Sequence, residues 1–169
     1  MGDGCGRPGG ASRDRHDGGY SRPRGGAFGC DPVILGLGSD ICDIRRIEAA
    51  IARHGDRFLH RVFTDIERSR AMRGTERNRA ATFAKRFAAK EAAAKALGTG
   101  FRQGVFFADL GVENLSTGQP TLAMTGGSAR RLQAITPVGM VARVALTMTD
   151  EYPYAYAHVI VSAVCSPTR

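Results

Sequence analysis

The spacing of hydrophobic residues changes along the chain, and the change predicts helices in the first half and strands in the second. Between residues 44 and 97, apolar side chains recur every three or four positions, beginning with Ile44 and Ile47. This is the spacing of one face of an α-helix. Asp43 can act as the N-cap of the first helix, which we expect to end at Gly55.

Two further helices are predicted in the same half. Residues 64–67, Thr-Asp-Ile-Glu, match a capping box and start a short helix that ends at Gly74. Residues 77–97 contain no glycine or proline and are rich in alanine, and Gly98 stands where a helix C-cap glycine belongs. We therefore expect one long helix of about 21 residues with an apolar stripe in the core.

The remaining apolar runs are short and predict strands. One strand, at residues 33–37, precedes the helices, and a turn-rich segment at residues 116–120 joins two others into a hairpin. The second half is expected to hold strands at 109–115, 121–124, 141–148 and 154–164 and a short helix at 126–135. This order predicts an α+β fold, with a mostly antiparallel sheet and a long central helix.

Composition divides the 169 residues into two parts. Residues 1–32 hold ten of the 22 glycines and five arginines with almost no aliphatic residues. Such a segment buries too little apolar surface to offset its ordering entropy, so we expect a disordered Gly/Arg-rich extension before a domain at residues 33–169. The net charge of +8 attracts polyanions such as nucleic acid, phosphorylated cofactors or acidic proteins.

The cysteines and the apolar runs bear on location. The four cysteines are scattered without a Cys-x-x-Cys pair, which favours free thiols over a zinc site or a disulfide framework. Free thiols are typical of cytoplasmic proteins, so we expect a cytoplasmic protein. No apolar run approaches 18 residues, and no membrane span is expected.

The charged residues of the long helix lie near its end. Arg86 and Lys90 are four positions apart, as are Glu91 and Lys95. That spacing puts each pair on adjacent turns, and we expect one carboxylate surrounded by three cations. The alternative interpretation is a solvated helix face with one Glu–Lys pair.

A second stretch, residues 34–41, runs from an apolar strand into a glycine-rich bend that ends at Asp40. If Asp40 and Glu91 converge, they form an oxygen site with too few ligands to enclose a metal. Such a site suits Mg²⁺, which keeps several waters and binds one or two carboxylates together with phosphate oxygens. The neighbouring cations could neutralise the rest of a pyrophosphate and support phosphoryl transfer.

Two motifs resemble one known family. Ile-Leu-Gly-Leu-Gly-Ser-Asp-Ile at residues 34–41 and Lys-Arg-Phe-Ala-Ala-Lys-Glu-Ala-Ala-Ala-Lys-Ala-Leu-Gly-Thr-Gly at residues 85–100 closely resemble the holo-acyl-carrier-protein synthase family. The resemblance implies a phosphopantetheinyl transferase that moves phosphopantetheine from coenzyme A to a serine of apo-acyl carrier protein, in support of fatty acid biosynthesis. It releases adenosine 3′,5′-bisphosphate. The resemblance also implies Mg²⁺ and a homotrimer with active sites between subunits.

The resemblance assigns roles by position. Asp40 and Glu91 are expected to bind the metal, and Glu91 to help deprotonate the serine, directly or through a metal-bound water. Lys95 is expected to hold phosphate in catalysis. The remaining expected contacts are Arg86, Lys90 and Lys95 with coenzyme A, and Arg46 and Arg57 with the acidic carrier protein.

The chain departs from the family pattern in two places. Many members have a histidine where this chain has Met148, so no role of that histidine is carried over, and residues 1–32 are an extra segment. A basic RNA-binding module is the alternative function, suggested by the charge and the Gly/Arg segment. It is disfavoured because single-strand binders need aromatic platforms among their basic residues, whereas the long helix alternates basic residues mainly with alanine.

Overall fold

The computed structural model describes Met1 and residues 31–166, without the side chains of residues 76 and 77. Nearly all of the predicted N-terminal extension lies outside this range. The described elements, in chain order, are β1 (Val33–Asp43), α1 (Ile44–Val62), α2 (Asp65–Met72), α3 (Glu76–Ala96), a 3₁₀ turn (Phe107–Asp109), β2 (Leu110–Asn114), β3 (Pro120–Met124), α4 (Gly126–Ile135), β4 (Met140–Glu151) and β5 (Tyr154–Cys165).

The strands form two antiparallel sheets. One sheet has the order β1-β5-β4, with β5 in the centre, and the other is the β2-β3 hairpin. The α+β class with antiparallel sheets is thereby confirmed. The strands of the second half fall within a few residues of their predicted positions, because each of them carries its own alternation of inward and outward residues.

Helix α3 is central and packs against β1 and β5. Its alanines from Ala88 to Ala94 are fully buried, which lets a sheet approach the helix closely. Two glycines of β1 make the closest approach: a Cβ atom on Gly36 would lie 1.9 Å from the Ala96 carbonyl oxygen, and one on Gly38 2.0 Å from that of Ala92. Only glycine fits at these two positions, so β1 lies directly on α3.

Two element boundaries differ from the sequence predictions. The glycine-rich segment around residue 38 is part of β1, with an irregularity between Ile34 and Gly36, so that Asp40 lies within the strand. Helix α1 does not end at Gly55, which has φ 51° and interrupts it; a second helical segment continues to Val62. This segment forms because Leu59 and Val62 are buried in the core.

Two further observations concern the chain as a whole. Cys42 is a free, buried thiol, but Cys165 is disulfide-bonded, so the expectation of free thiols is wrong for Cys165. Free thiols were the basis of the expected cytoplasmic location, and Cys165 does not provide one. Within residues 31–166, no helix is both long and apolar enough to cross a membrane.

Candidate active site

Strand β1 and helix α3 bring a carboxylate and an ammonium into direct contact. The Lys95 Nζ atom donates a hydrogen bond to the Asp40 Oδ1 atom (2.8 Å) and a second to the Ser39 carbonyl oxygen (2.9 Å). Asp40 is 17% exposed and Lys95 is 50% exposed. The contact is possible because the glycines of β1 remove the side chains that would hold the strand away from α3.

Glu91 and Arg46 belong to the same charged cluster. Burial raises the pKa of Glu91, the negative charge of Asp40 raises it further, and Lys95 and Arg46 lower it. Glu91 therefore interacts electrostatically with the other three residues, although the four come from β1, α1 and α3. We refer to Asp40, Glu91, Lys95 and Arg46 as the carboxylate cluster.

Cys42 adjoins this cluster but does not share its chemistry. Burial, followed by the charge of Asp40, raises the pKa of the Cys42 thiol to about 11. A thiol with so high a pKa is protonated at neutral pH and is a poor nucleophile. Cys42 is accordingly a core residue behind the cluster.

The structure contradicts the expectation that three cations surround Glu91. Arg86 and Lys95 lie about half a turn apart around the helix axis, at 100° per residue. Lys90 is fully buried on the far side from the cluster, where its Nζ atom pairs with Glu67 at 2.8 Å. The Nζ atom also donates hydrogen bonds to the carbonyl oxygens of Val62 (2.6 Å) and Phe107 (3.0 Å).

Lys90 is consequently a core residue, and its expected role as a coenzyme A contact is wrong. Its ammonium has no exposed surface, and its three hydrogen-bond donors already have partners. Glu67, also fully buried, accepts a further hydrogen bond from the Val112 backbone N–H (3.1 Å). The Glu67–Lys90 pair therefore ties α2 and β2 to α3.

Arg86 lies in a separate cationic cleft of about 360 Å³ between α2 and α3. Its guanidinium is almost fully buried, and burial lowers its pKa while the charge of Glu67 raises it. Its Nε atom has no hydrogen-bond partner among the described residues. This N–H group can bind an anionic ligand, because a buried donor without a hydrogen-bond partner costs free energy that the ligand would recover. The cleft is also lined by Arg70, Arg73 and Met148.

Arg70 and Arg73 are site residues that were not predicted from the sequence. Arg70 lies in the last turn of α2 and Arg73 is its C-cap residue, and their spacing of three positions, which places both on one side of a helix, was the available signal. Arg57, in contrast, is exposed on the second segment of α1, beyond the interruption at Gly55. It lines a shallow groove with Phe58 and Arg61.

The donor set of the carboxylate cluster fits a hard metal ion. Asp40 and Glu91 supply only oxygen ligands, and residues 31–166 contain no group of three or more potential metal ligands. Two carboxylates completed by water and phosphate oxygens are the usual protein environment of Mg²⁺.

A family comparison identifies the group of proteins to which this arrangement belongs. Residues 36–157 match the model of the 4′-phosphopantetheinyl transferase superfamily. The chain belongs to this superfamily. The match contains most of β1, all of α1 and α3 and most of the three-stranded sheet, so all four residues of the carboxylate cluster lie inside it.

Individual members of the superfamily are similar over most of the chain. The holo-[acyl-carrier-protein] synthase of Granulibacter bethesdensis is 68% identical over 136 residues, which are 80% of this chain and 94% of that protein. The synthase of Phenylobacterium zucineum is 60% identical over 131 residues, 78% of this chain and 94% of its own length. The expected resemblance to holo-acyl-carrier-protein synthases is thereby confirmed.

Solved structures of phosphopantetheinyl transferases share the fold. The holo-[acyl-carrier-protein] synthase of Neisseria meningitidis aligns with a TM-score of 0.66 at 34% identity, covering 76% of this chain and 98% of that one. The synthase of Bacillus anthracis, solved in complex with CoA (3′,5′-ADP), aligns with a TM-score of 0.61 at 31% identity. That alignment covers 77% of this chain and 97% of the Bacillus chain.

Proposed function

We propose that this protein transfers phosphopantetheine from coenzyme A to a serine of apo-acyl carrier protein and releases adenosine 3′,5′-bisphosphate. The observation that carries the proposal is the contact between Asp40 of β1 and Lys95 of α3, with Glu91 beside them, in a member of the phosphopantetheinyl transferase superfamily. The transferase unit that we propose spans residues 33–169. Its products support fatty acid biosynthesis, as the resemblance implies.

Asp40 and Glu91 are the residues that would hold Mg²⁺. Their carboxylate oxygens suit this ion, and their mutual repulsion, which raises the pKa of Glu91, would be relieved by a bound cation. A bound ion would neutralise negative charge on the pyrophosphate oxygens. The remaining contributions to the reaction come from residues of the chain itself.

Two cationic sites can bind the phosphates of coenzyme A. Lys95, half exposed beside Asp40, suits the pyrophosphate, where the bond to phosphopantetheine breaks. The cleft of Arg86, Arg70 and Arg73 suits a further phosphate, because three arginines converge there and the Arg86 Nε atom lacks a partner. Met148 in the same cleft can neither donate a proton nor pair with phosphate, so the arginines hold that group.

Glu91 is our candidate for the base that accepts the serine proton. Burial raises the pKa of Glu91 in the metal-free cluster and so increases its basicity, whereas a bound cation would lower that pKa again. The serine Oγ atom attacks the phosphorus next to the pantetheine arm, and the bond to the bridging oxygen breaks. The electron pair of that bond remains on adenosine 3′,5′-bisphosphate.

The acidic carrier protein would dock on α1. Arg46 is exposed and lies close enough to Glu91 to lower the pKa of that carboxyl, so a carrier bound there has its serine near the cluster. Arg57 extends the basic surface along the second segment of α1. Charges at the edge of an interface mainly raise the association rate.

The outer face of the three-stranded sheet supports the proposed homotrimer. Leu37, Ile41, Tyr154 and Val141 are each between 45% and 62% exposed on the strands. An exposed apolar patch of this kind marks an interaction surface. We propose that three copies bury this face, in agreement with the assembly that the resemblance implies.

The function is tested by measuring nucleotide release. The protein is incubated with coenzyme A, Mg²⁺ and apo-acyl carrier protein, and adenosine 3′,5′-bisphosphate is quantified by chromatography. We expect one nucleotide per carrier molecule, and none with a carrier whose acceptor serine is replaced by alanine. Nucleotide release that is independent of the carrier protein would identify a hydrolase instead of a transferase.

A further inference from the structure

The contact between Lys95 and Asp40 gives each residue two partners in the reaction. Asp40 is a proposed ligand of the metal, yet its Oδ1 atom accepts a hydrogen bond from the Lys95 ammonium at 2.8 Å. Lys95 is proposed to hold phosphate, yet its ammonium is directed to β1 by Asp40 and by the Ser39 carbonyl oxygen. The carboxylate and the ammonium thus bind each other in this structure, whereas in the proposed reaction the carboxylate binds the metal and the ammonium binds the substrate.

These two sets of contacts oppose each other electrostatically. A divalent cation on the Asp40 carboxylate would lie within a few ångströms of the Lys95 ammonium. Repulsion between like charges at such distances is substantial even near a protein surface. The ammonium therefore weakens metal binding for as long as it remains on Asp40.

We propose that Lys95 is a placeholder for the metal. Its ammonium neutralises Asp40 until the cation binds, and then transfers to the phosphate oxygens of coenzyme A. The inference rests on the proposed function and adds a consequence to it. Coenzyme A and Mg²⁺ must bind cooperatively, because coenzyme A draws Lys95 away from Asp40 and supplies oxygen ligands to the metal. Coupling between two ligands is reciprocal, so Mg²⁺ strengthens coenzyme A binding by the same factor.

The local structure permits this exchange at low cost. Lys95 is 50% exposed, so water can solvate its ammonium when it leaves, and the arriving cation replaces the positive charge beside Asp40, which is 17% exposed. Lysine also carries its charge as a compact ammonium on a flexible stem of four carbons, whereas an arginine fork would bind the carboxylate in a fixed geometry. The neighbouring residues Ala92 and Ala96 on α3 are buried in the core, so the exchange involves only the Lys95 side chain.

Titration calorimetry with Mg²⁺ alone tests the inference without any measurement of activity. The variants are Lys95→Met and, as a control, Arg46→Met, which removes a nearby positive charge that is not hydrogen-bonded to Asp40. We expect Lys95→Met to bind Mg²⁺ about tenfold more tightly than wild type, and Arg46→Met to differ from wild type by about twofold. The tenfold figure lies within the range typical of coupled sites.

The same titrations are then repeated with saturating coenzyme A. We expect coenzyme A to tighten Mg²⁺ binding to the wild type about tenfold, and to have less effect on Lys95→Met, which has no ammonium to withdraw. Equal gains in Lys95→Met and Arg46→Met, or weaker binding in Lys95→Met, would overturn the placeholder role and leave the transferase proposal intact. Nucleotide release without any Mg²⁺ binding would instead overturn the metal site itself.

Discussion

Among the single residues of the carboxylate cluster, Glu91 has the environment that most disfavours its charge. Without a metal ion, burial and the charge of Asp40 raise its pKa above the ordinary value of 4.5. In metal-free protein, between pH 4.5 and that raised pKa, the folded state binds more protons than the unfolded state. The free energy of unfolding therefore falls as the pH rises through this window, and the ionised carboxylate destabilises the fold at neutral pH.

Glu91→Gln should accordingly be more stable than wild type at pH 7.5 and should have the same stability at about pH 4, because glutamine has no charge to desolvate. Transfer activity should fall by at least about 100-fold, the usual effect of losing a general base. Urea denaturation at several pH values provides the test. A stability difference that is independent of pH would show that the effect comes from packing.

Arg46 offers a second test at the scale of one residue. Arg46→Glu should raise the Michaelis constant for the carrier protein roughly tenfold, equivalent to about 1.4 kcal/mol, and should leave that for coenzyme A almost unchanged. Arg53→Glu is the matched control, because Arg53 is also exposed on α1 and lies further from the cluster in sequence. Steady-state kinetics at low and high salt measure both constants. If Arg46→Glu weakens coenzyme A instead, the two faces of the site are assigned the wrong way round.

Helix α3 has two charged sides. One carries Glu91 and Lys95 toward β1, and the other carries Lys90 into the core and, one turn earlier, Arg86 into the cationic cleft. The sequence spacing correctly separates the Arg86–Lys90 pair from the Glu91–Lys95 pair, but it does not show which element each side of the helix packs against. That depends on packing against α2 and β1.

The core position of Lys90 could have been read from the sequence. Phe83, Phe87, Lys90 and Ala94 follow the spacing of one apolar helix stripe, and lysine is the exception in it. The glycines of β1 give a similar signal, although the sequence analysis assigned them to a bend. Glycine is required both at a tight turn and where two elements pack closely together. Only the tertiary structure shows which of these two reasons applies.

Lys90→Met tests the structural role of the buried pair. The substitution leaves the Glu67 carboxylate buried without its counter-ion and should lower the free energy of unfolding by about 3–5 kcal/mol. Glu67→Gln combined with Lys90→Met should recover a large part of that loss, because no unpaired charge remains. Chemical denaturation measures both.

The same variant distinguishes the core role of Lys90 from a substrate contact. In folded protein, the dissociation constant of coenzyme A should change much less for Lys90→Met than for Lys95→Met. A large loss of coenzyme A affinity in the double variant, at near wild-type stability, would contradict the core assignment.

For the protein as a whole, the exposed apolar sheet face supports the proposed homotrimer. Leu37→Glu puts a charge on that face and should convert the proposed trimer to smaller species, with activity lost in parallel. Val138→Glu is the control, since Val138 is fully exposed in a loop outside the sheet. Sedimentation velocity gives the mass. A wild-type monomer that is active at micromolar concentration would refute the assembly.

The positive charge of the molecule is explained by its proposed substrates. Coenzyme A and the acidic carrier protein are both anionic, and the described arginines are distributed between a phosphate cleft and the α1 surface. Superfamily membership favours this explanation over the RNA-binding alternative. This explanation of the positive charge does not extend to residues 1–32, because their charge is close to balanced: five arginines against four aspartates.

We propose above that this chain modifies a carrier protein at the carboxylate cluster, to which Asp40 belongs. The most direct measurement is the intact mass of apo-acyl carrier protein after incubation with coenzyme A, Mg²⁺ and either wild type, Asp40→Asn or Asp56→Asn. We predict a gain of one phosphopantetheine with wild type and with Asp56→Asn, whose substitution neutralises an exposed carboxylate on α1. With Asp40→Asn, the rate should fall at least about 100-fold. An unmodified carrier with wild type, or full modification by Asp40→Asn at the wild-type rate, would contradict the account.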